Sequence, residues 1–255
     1  MKETIVWLDT EFTHFDSPEL ISLGMVSAQG DEFYVELADN WTPARCSMFV
    51  LGQALPHLAE GATQNFLSDI LGDLFELIRW LTAENLQEKR EMMKKKQLQG
   101  AISRECDLAL AWEADPAFCD LTINDVSRVG EIMKGVGAEA LTSGSYARTR
   151  SQAAGELANW LNRMGRPVVV ADNPVDHQLL RTFLNQSGTA LNQVQFMLLP
   201  HLSPTRVSKW PKVHQAREDY YVLGGRRHHA LDDARALARW WREAEKHDLL
   251  FNKNQ

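Results

Sequence analysis

Apolar and polar positions divide the chain into strand-like runs toward both ends and a long helical middle. Ile5-Val6-Trp7-Leu8 is a continuous apolar run, the pattern of a strand buried on both faces, and it leads straight into Asp9-Thr10-Glu11-Phe12. Glu19 to Ser27 and Glu32 to Leu37 read as two more strands joined by a turn at Gln29-Gly30-Asp31, the start of a meander. The segment from Phe12 to Pro18 is then a loop beside the two acids. From Ala62, the residues Phe66, Leu67, Ile70, Leu71, Leu74, Leu77, Ile78 and Leu81 recur at three and four. This spacing predicts one amphipathic helix that runs on into the charged stretch Glu88 to Lys96, which fits a solvated helix face better than a phosphate contact.

Between Trp41 and Pro56 the pattern is irregular, with Pro43, Gly52 and Pro56 as breakers. Between Gln97 and Ser145 strand alternation is absent and helical patterns are short, so 81–149 reads as a helical insertion within a single 1–255 domain. Order returns with a helix from Arg150 to Leu161 ended near Gly165, and with Pro167-Val168-Val169-Val170-Ala171, a β-branched buried strand. Straight after it, Asn173 fits an N-cap and Pro174 a first helical position. Val194 to Leu199 supplies a further strand, and a last helix is expected from about His228 to about Leu249.

Charge placement adds candidate chemistry. On an extended backbone, side chains two apart share a face, roughly 6 to 7 Å apart, so Asp9 and Glu11 can act together. Two carboxylates at the end of a buried strand need a compensating charge, which a metal ion supplies. The competing reading has Asp9 capping a turn and Glu11 solvated. Asp176, at the third position of its helix, serves the helix dipole as well as it would serve chemistry, and Asp172 beside the cap is the weaker candidate. Near the last helix His229 lies four before Asp233, while His228 lies five before it and reaches it from the preceding loop. A capping or surface role suits either histidine as well. The stretch His201 to Arg227 carries Arg206, Lys209, Lys212, Arg217, Arg226 and Arg227 against Glu218 and Asp219, interleaved with Trp210, Tyr220 and Tyr221. It fits a single-strand nucleic-acid surface or an exposed loop anchored by aromatics.

Composition sets bounds. The 255 residues can hold one large α/β domain or two small ones, and 44% hydrophobic with 24% charged residues is the balance of a folded globular protein. A net charge of -7 argues against indiscriminate coating of polyanions, though a local basic groove remains compatible with it. Cys46, Cys106 and Cys119 are irregularly spaced and odd in number, which suits a reducing cytoplasm better than a disulfide framework. The opening Met1-Lys2-Glu3-Thr4 enters a strand at once, without the pattern of a secretory leader, and no run approaches the roughly 18 apolar residues of a membrane helix. The expectation is a cytoplasmic protein without a membrane partner.

In order, Leu8-Asp9-Thr10-Glu11-Phe12, Asp172-Asn173-Pro174-Val175-Asp176 and His228-His229-Ala230-Leu231-Asp232-Asp233-Ala234 resemble the motifs of the DEDDh 3'-to-5' exonucleases of the ribonuclease H-like superfamily. The opening is also similar to a bacterial exoribonuclease subgroup in which Asp-Thr-Glu-Phe precedes a short loop and a strand like Leu20 to Gly24. The middle motif departs from the family, where Asn often stands four residues before the acid; here Asp172 holds that place. The family's His-x-Ala-x-x-Asp pattern selects His228 over His229 and Asp233 over Asp232. The resemblance implies an α/β fold with a ribonuclease H-like mixed sheet flanked by helices. It implies two divalent cations, Mg2+ or Mn2+, held by Asp9, Glu11, Asp176 and Asp233, with His228 taking a proton from the attacking water. Thr10, Phe12, Arg226 and Arg227 are the candidate substrate contacts. RNA is favoured over DNA as the nucleic-acid partner, and the resemblance leaves room for a homo-oligomer. The rival readings are a DNA exonuclease or proofreading factor and a non-catalytic nucleic-acid-binding or assembly module.

Overall fold

The computed structural model describes residues 3–82, 128–142, 144–186, 194–199 and 210–247. The charged stretch Glu88 to Lys96, most of the expected 81–149 insertion with Cys106 and Cys119, and His201, Arg206, Lys209 and Leu249 lie outside the described residues. The chain is α/β. Its strands are β1 (Glu3–Phe12), β2 (Leu20–Ser27), β3 (Glu32–Leu37), β4 (Ala147–Arg148), β5 (Arg166–Ala171) and β6 (Gln195–Leu198). Its helices are α1 (Ala62–Leu71), α2 (Asp73–Thr82), α3 (Ala138–Leu141), α4 (Arg150–Arg163), α5 (Pro174–Gln186), α6 (Trp210–Val222) and α7 (Ala230–Lys246). It divides into two compact units: Met1–Glu11, Leu20–Leu37 and Arg148–Gln255 form one, and Phe12–Glu19 with Ala38–Ala147 the other.

A mixed six-stranded sheet runs in the order β4-β3-β2-β1-β5-β6. β2 is antiparallel to β3, whereas β1 and β5, and β5 and β6, are parallel. All eight residues of β2 and the last five of β5 are buried, because helices cover both faces of the sheet there. Val6, Leu8 and Val169 are fully buried at the centre. The β1–β5 register pairs Trp7 with Val170, so both strands deliver their carboxyl ends, and the acids that follow, to the same edge. Open sheets bind ligands at such an edge.

α7 lies against this sheet on small and aromatic residues: Ala230, Ala234, Leu237, Ala238, Trp241 and Ala244 are buried. Trp241 meets Trp7 edge to face with ring centroids 6.4 Å apart. Gly24 of β2 is required for this approach, since a Cβ there would stand 2.3 Å from the Ala230 carbonyl carbon and the Leu231 nitrogen. Against β3, α4 sets Trp160 at 6.0 Å from Phe33. α4 itself opens with a capping box between Thr149 and Gln152.

In the second unit, the single helix expected from Ala62 is broken into α1 and α2. Gly72 adopts φ 56°, which stops α1, and apolar spacing that continues in step across the break conceals it. Short 3-10 and π turns fill the irregular stretch from Pro43 to Gly61. Among the described residues no helix is long and apolar enough to cross a membrane.

Candidate metal centre

β1 carries Asp9 and Glu11 to the sheet edge, both half-buried. Asp172 leaves the end of β5. Asp176 follows at the third position of α5, whose start is fixed as the sequence suggests: Asn173 Oδ1 accepts from the Val175 N–H at 3.0 Å. His228 and Asp233 flank the start of α7. Potential ligand atoms of Asp9, Asp172 and Asp176 lie within 4.8 Å of one another, and those of Glu11, His228 and Asp233 form a second such group. The structure therefore gathers every acid singled out in the motifs and adds Asp172, the one weighed as weaker. The β1–β5 register explains the addition: two residues past the Trp7–Val170 pair lie Asp9 and Asp172.

Geometry separates the two histidines. His229 is the N-cap of α7, only 4% exposed, and its Nδ1 accepts from the Asp232 N–H at 3.3 Å while its ring packs 4.5 Å from that of Tyr34. His228 instead takes a left-handed φ of 57°, rare for a residue with a Cβ, and so turns into the group with Glu11 and Asp233. The last helix starts at Ala230, with His228 in the loop just before it.

The adjacent aspartates separate as clearly. Asp232 accepts from Tyr220 Oη at 2.6 Å, Arg226 Nε at 2.7 Å and Arg235 Nη1 at 2.7 Å. Burial alone would raise its pKa, but these hydrogen bonds and the nearby His229 outweigh it and push the carboxyl down to about 2. Asp233 has a hydroxyl donor in Tyr221 and the neighbouring charges of His228 and Arg217, yet burial dominates and its pKa is raised. Burial, then the charges of the surrounding acids, also raise Asp9 and Glu11 well above the usual carboxylate range. Asp176 is pushed up to about 7, chiefly by burial, against the opposing hydrogen bond from Thr10.

The remaining candidates have defined partners. Thr10 is buried and its Oγ1 donates to Asp176 Oδ1 at 2.6 Å. Phe12 meets the exposed Phe15 edge to face at 5.0 Å. Arg226 is paired with Asp232, and Arg227 is paired with Glu218 with its guanidinium 4.2 Å above the Tyr221 ring. The stretch beyond 209, read as a binding surface or an exposed loop, is the helix α6 as far as Val222. Arg217 on α6 pairs with Asp172 at 2.7 Å. Nothing local in the sequence ties Arg217 or Tyr221 to the acids. The available signal was that Tyr220-Tyr221 and Asp232-Asp233 are two dyads 12 residues apart, which carries meaning only once α6 and α7 are known to pack together.

This donor set fits divalent cations. Arg217 forms an ion pair with Asp172, and burial together with the surrounding acidic charges raises the pKa values of Asp9, Glu11 and Asp176. Crowded carboxylates with raised pKa values are short of positive charge, and carboxylate oxygens suit hard ions such as Mg2+ and Mn2+. In comparisons with known proteins, no family model matches the chain and no curated protein matches it.

Proposed function

We propose that this chain is a metal-dependent 3'-to-5' exonuclease of the DEDDh type, in the ribonuclease H-like superfamily, and that it works in the cytoplasm. It hydrolyses phosphodiester bonds at the 3' end of single-stranded RNA or a 3' overhang and releases nucleoside 5'-monophosphates. One observation carries the reading: Asp9, Glu11, Asp176, His228 and Asp233, drawn from three separate stretches, converge as two adjoining ligand groups in the order the motifs require.

Asp9, Glu11, Asp176 and Asp233 would hold two divalent cations. When bound, such ions neutralise charge on the attacking and leaving oxygens of a phosphodiester displacement. The protein's own groups do the rest. Thr10 fixes the Asp176 carboxylate through its hydroxyl. His228, beside Glu11 and Asp233, takes a proton from the water that attacks phosphorus. The phosphorus–O3' bond breaks, the departing 3' oxygen takes a proton from solvent, and phosphate stays on the 5' oxygen of the released nucleotide.

The test is degradation of labelled single-stranded RNA and DNA, and of duplexes with 3' overhangs, in Mg2+, Mn2+ or EDTA, with Asp9→Ala beside wild type. Metal-dependent shortening from the 3' end, absent in Asp9→Ala, is the expected result, and the matched substrates give the sugar preference. Folded wild type that removes no nucleotide with either metal would sink the proposal and favour a non-catalytic binding module.

A further inference from the structure

α6 stands across the two ligand groups. Its Arg217 Nη1 donates to Asp172 Oδ2 at 2.7 Å, in the group with Asp9 and Asp176. Tyr221 follows Arg217 by four residues, one turn further along the same helix face. The Tyr221 hydroxyl in turn donates to Asp233 Oδ1, in the group with Glu11 and His228. The planar guanidinium offers its donors to Asp172 in a fixed fork, which a lysine ammonium on its flexible stem does less exactly. One helix thus engages one carboxylate oxygen in each group, Asp172 Oδ2 and Asp233 Oδ1.

We propose that Arg217 and Tyr221 are positioning residues for the cation centre: they bridge Asp172 to Asp233 and so fix the two ligand groups relative to each other. This rests on reading the acid cluster as a divalent-cation centre. Two features single out the bridge. First, among the described side chains of α6 only Val213 is buried, so polar contacts govern how the helix is seated. Second, a separate contact, Tyr220 to Asp232, holds α6 on an acid outside both ligand groups. The bridge can therefore be cut at Tyr221 while α6 stays docked. Groups behind metal ligands act this way, orienting the carboxylate and its free oxygen.

The experiment is calorimetric titration of metal-stripped protein with Mn2+ alone, for wild type, Tyr221→Phe, Arg217→Lys and the double variant, with thermal melts in EDTA. Tyr221→Phe keeps the ring and removes the hydroxyl; Arg217→Lys keeps the charge and removes the fork. Each single variant is expected to weaken Mn2+ binding by about tenfold, with the melt in EDTA little changed. The double variant should bind within about twofold of the weaker single, because both changes cut one bridge. Singles that bind like wild type, or effects that multiply in the double, overturn the proposal while leaving the exonuclease reading intact. Wild type that binds no Mn2+ overturns both. If Arg217→Lys fails to fold, Tyr221→Phe decides alone, on the same thresholds.

Discussion

Thr10 donates its hydroxyl to Asp176 at 2.6 Å across 166 residues of sequence, tying the first motif to the second. Thr10→Val keeps the shape and removes the donor. A buried carboxylate oxygen then loses its partner, at a cost of about 1–3 kcal/mol if it stays ionised. With the opposing hydrogen bond gone, the Asp176 pKa should climb above about 7. Cleavage is expected to fall by about 10- to 100-fold, as for other groups that orient metal-binding carboxylates. Paired urea unfolding and rate measurements check both effects; a variant with wild-type rate at neutral pH would show that Thr10 does not orient Asp176.

The raised acids make the metal-free protein sensitive to alkali. Asp9, Glu11, Asp176 and Asp233 all have folded pKa values above their unfolded ones, so the native state holds protons that the unfolded chain releases. Stability must then fall as pH rises, beginning near the unfolded value of about 4 and, for Asp176, continuing through its folded value. Urea midpoints in EDTA should drop between about pH 5 and pH 8, and saturating Mn2+ should raise them more at the higher pH. A metal-free midpoint that climbs with pH would refute the electrostatic picture of the site.

Asp232 and Asp233 should separate stability from activity. Asp232→Asn breaks the contacts with Tyr220, Arg226 and Arg235. Removing one partner of a buried ion pair costs about 3–5 kcal/mol, reduced here to about 2 because both arginines are partly exposed. Asp233→Asn removes a crowded charge, so it should abolish cleavage and leave the metal-free protein at least as stable as wild type. The opposite pairing of effects would mean that the third motif has been aligned one residue out.

His228 offers a test of strain. At φ 57° a residue with a Cβ costs about 1–2 kcal/mol, which glycine avoids. His228→Gly should therefore be more stable than His228→Ala by about 1 kcal/mol, while both lose activity. Equal stability of the two variants in chemical unfolding would mean that the left-handed turn relaxes once the imidazole is gone.

What the sequence disclosed follows the strength of local signals. Val6 to Leu8 and Pro167 to Ala171 are buried apolar runs, and Asn173-Pro174 is a local cap signal, so the strands and the start of α5 could be read directly. α6 escaped because a helix with Val213 as its buried residue lacks the apolar period that marks helices, and is held instead by pairs such as Arg217 with Asp172. The break at Gly72 escaped because a single glycine interrupts a helix without disturbing the spacing around it. Asp172 was discounted for standing beside the cap Asn173. Only the parallel pairing of β5 with β1 brings it next to Asp9.

Gly24 lets the start of α7 come down onto β2 at a distance no side chain would permit. The third motif thus takes its position from a strand that contributes no ligand, and the first and second motifs arrive on β1 and α5. No fragment shorter than the assembled sheet unites them. On the proposed reading, cation capture and folding would be one equilibrium: at a free ion concentration about a hundredfold above its dissociation constant, the native state would gain about 2.7 kcal/mol. In a cell, the supply of divalent ions would then set how long the chain survives proteolysis as well as how fast it works.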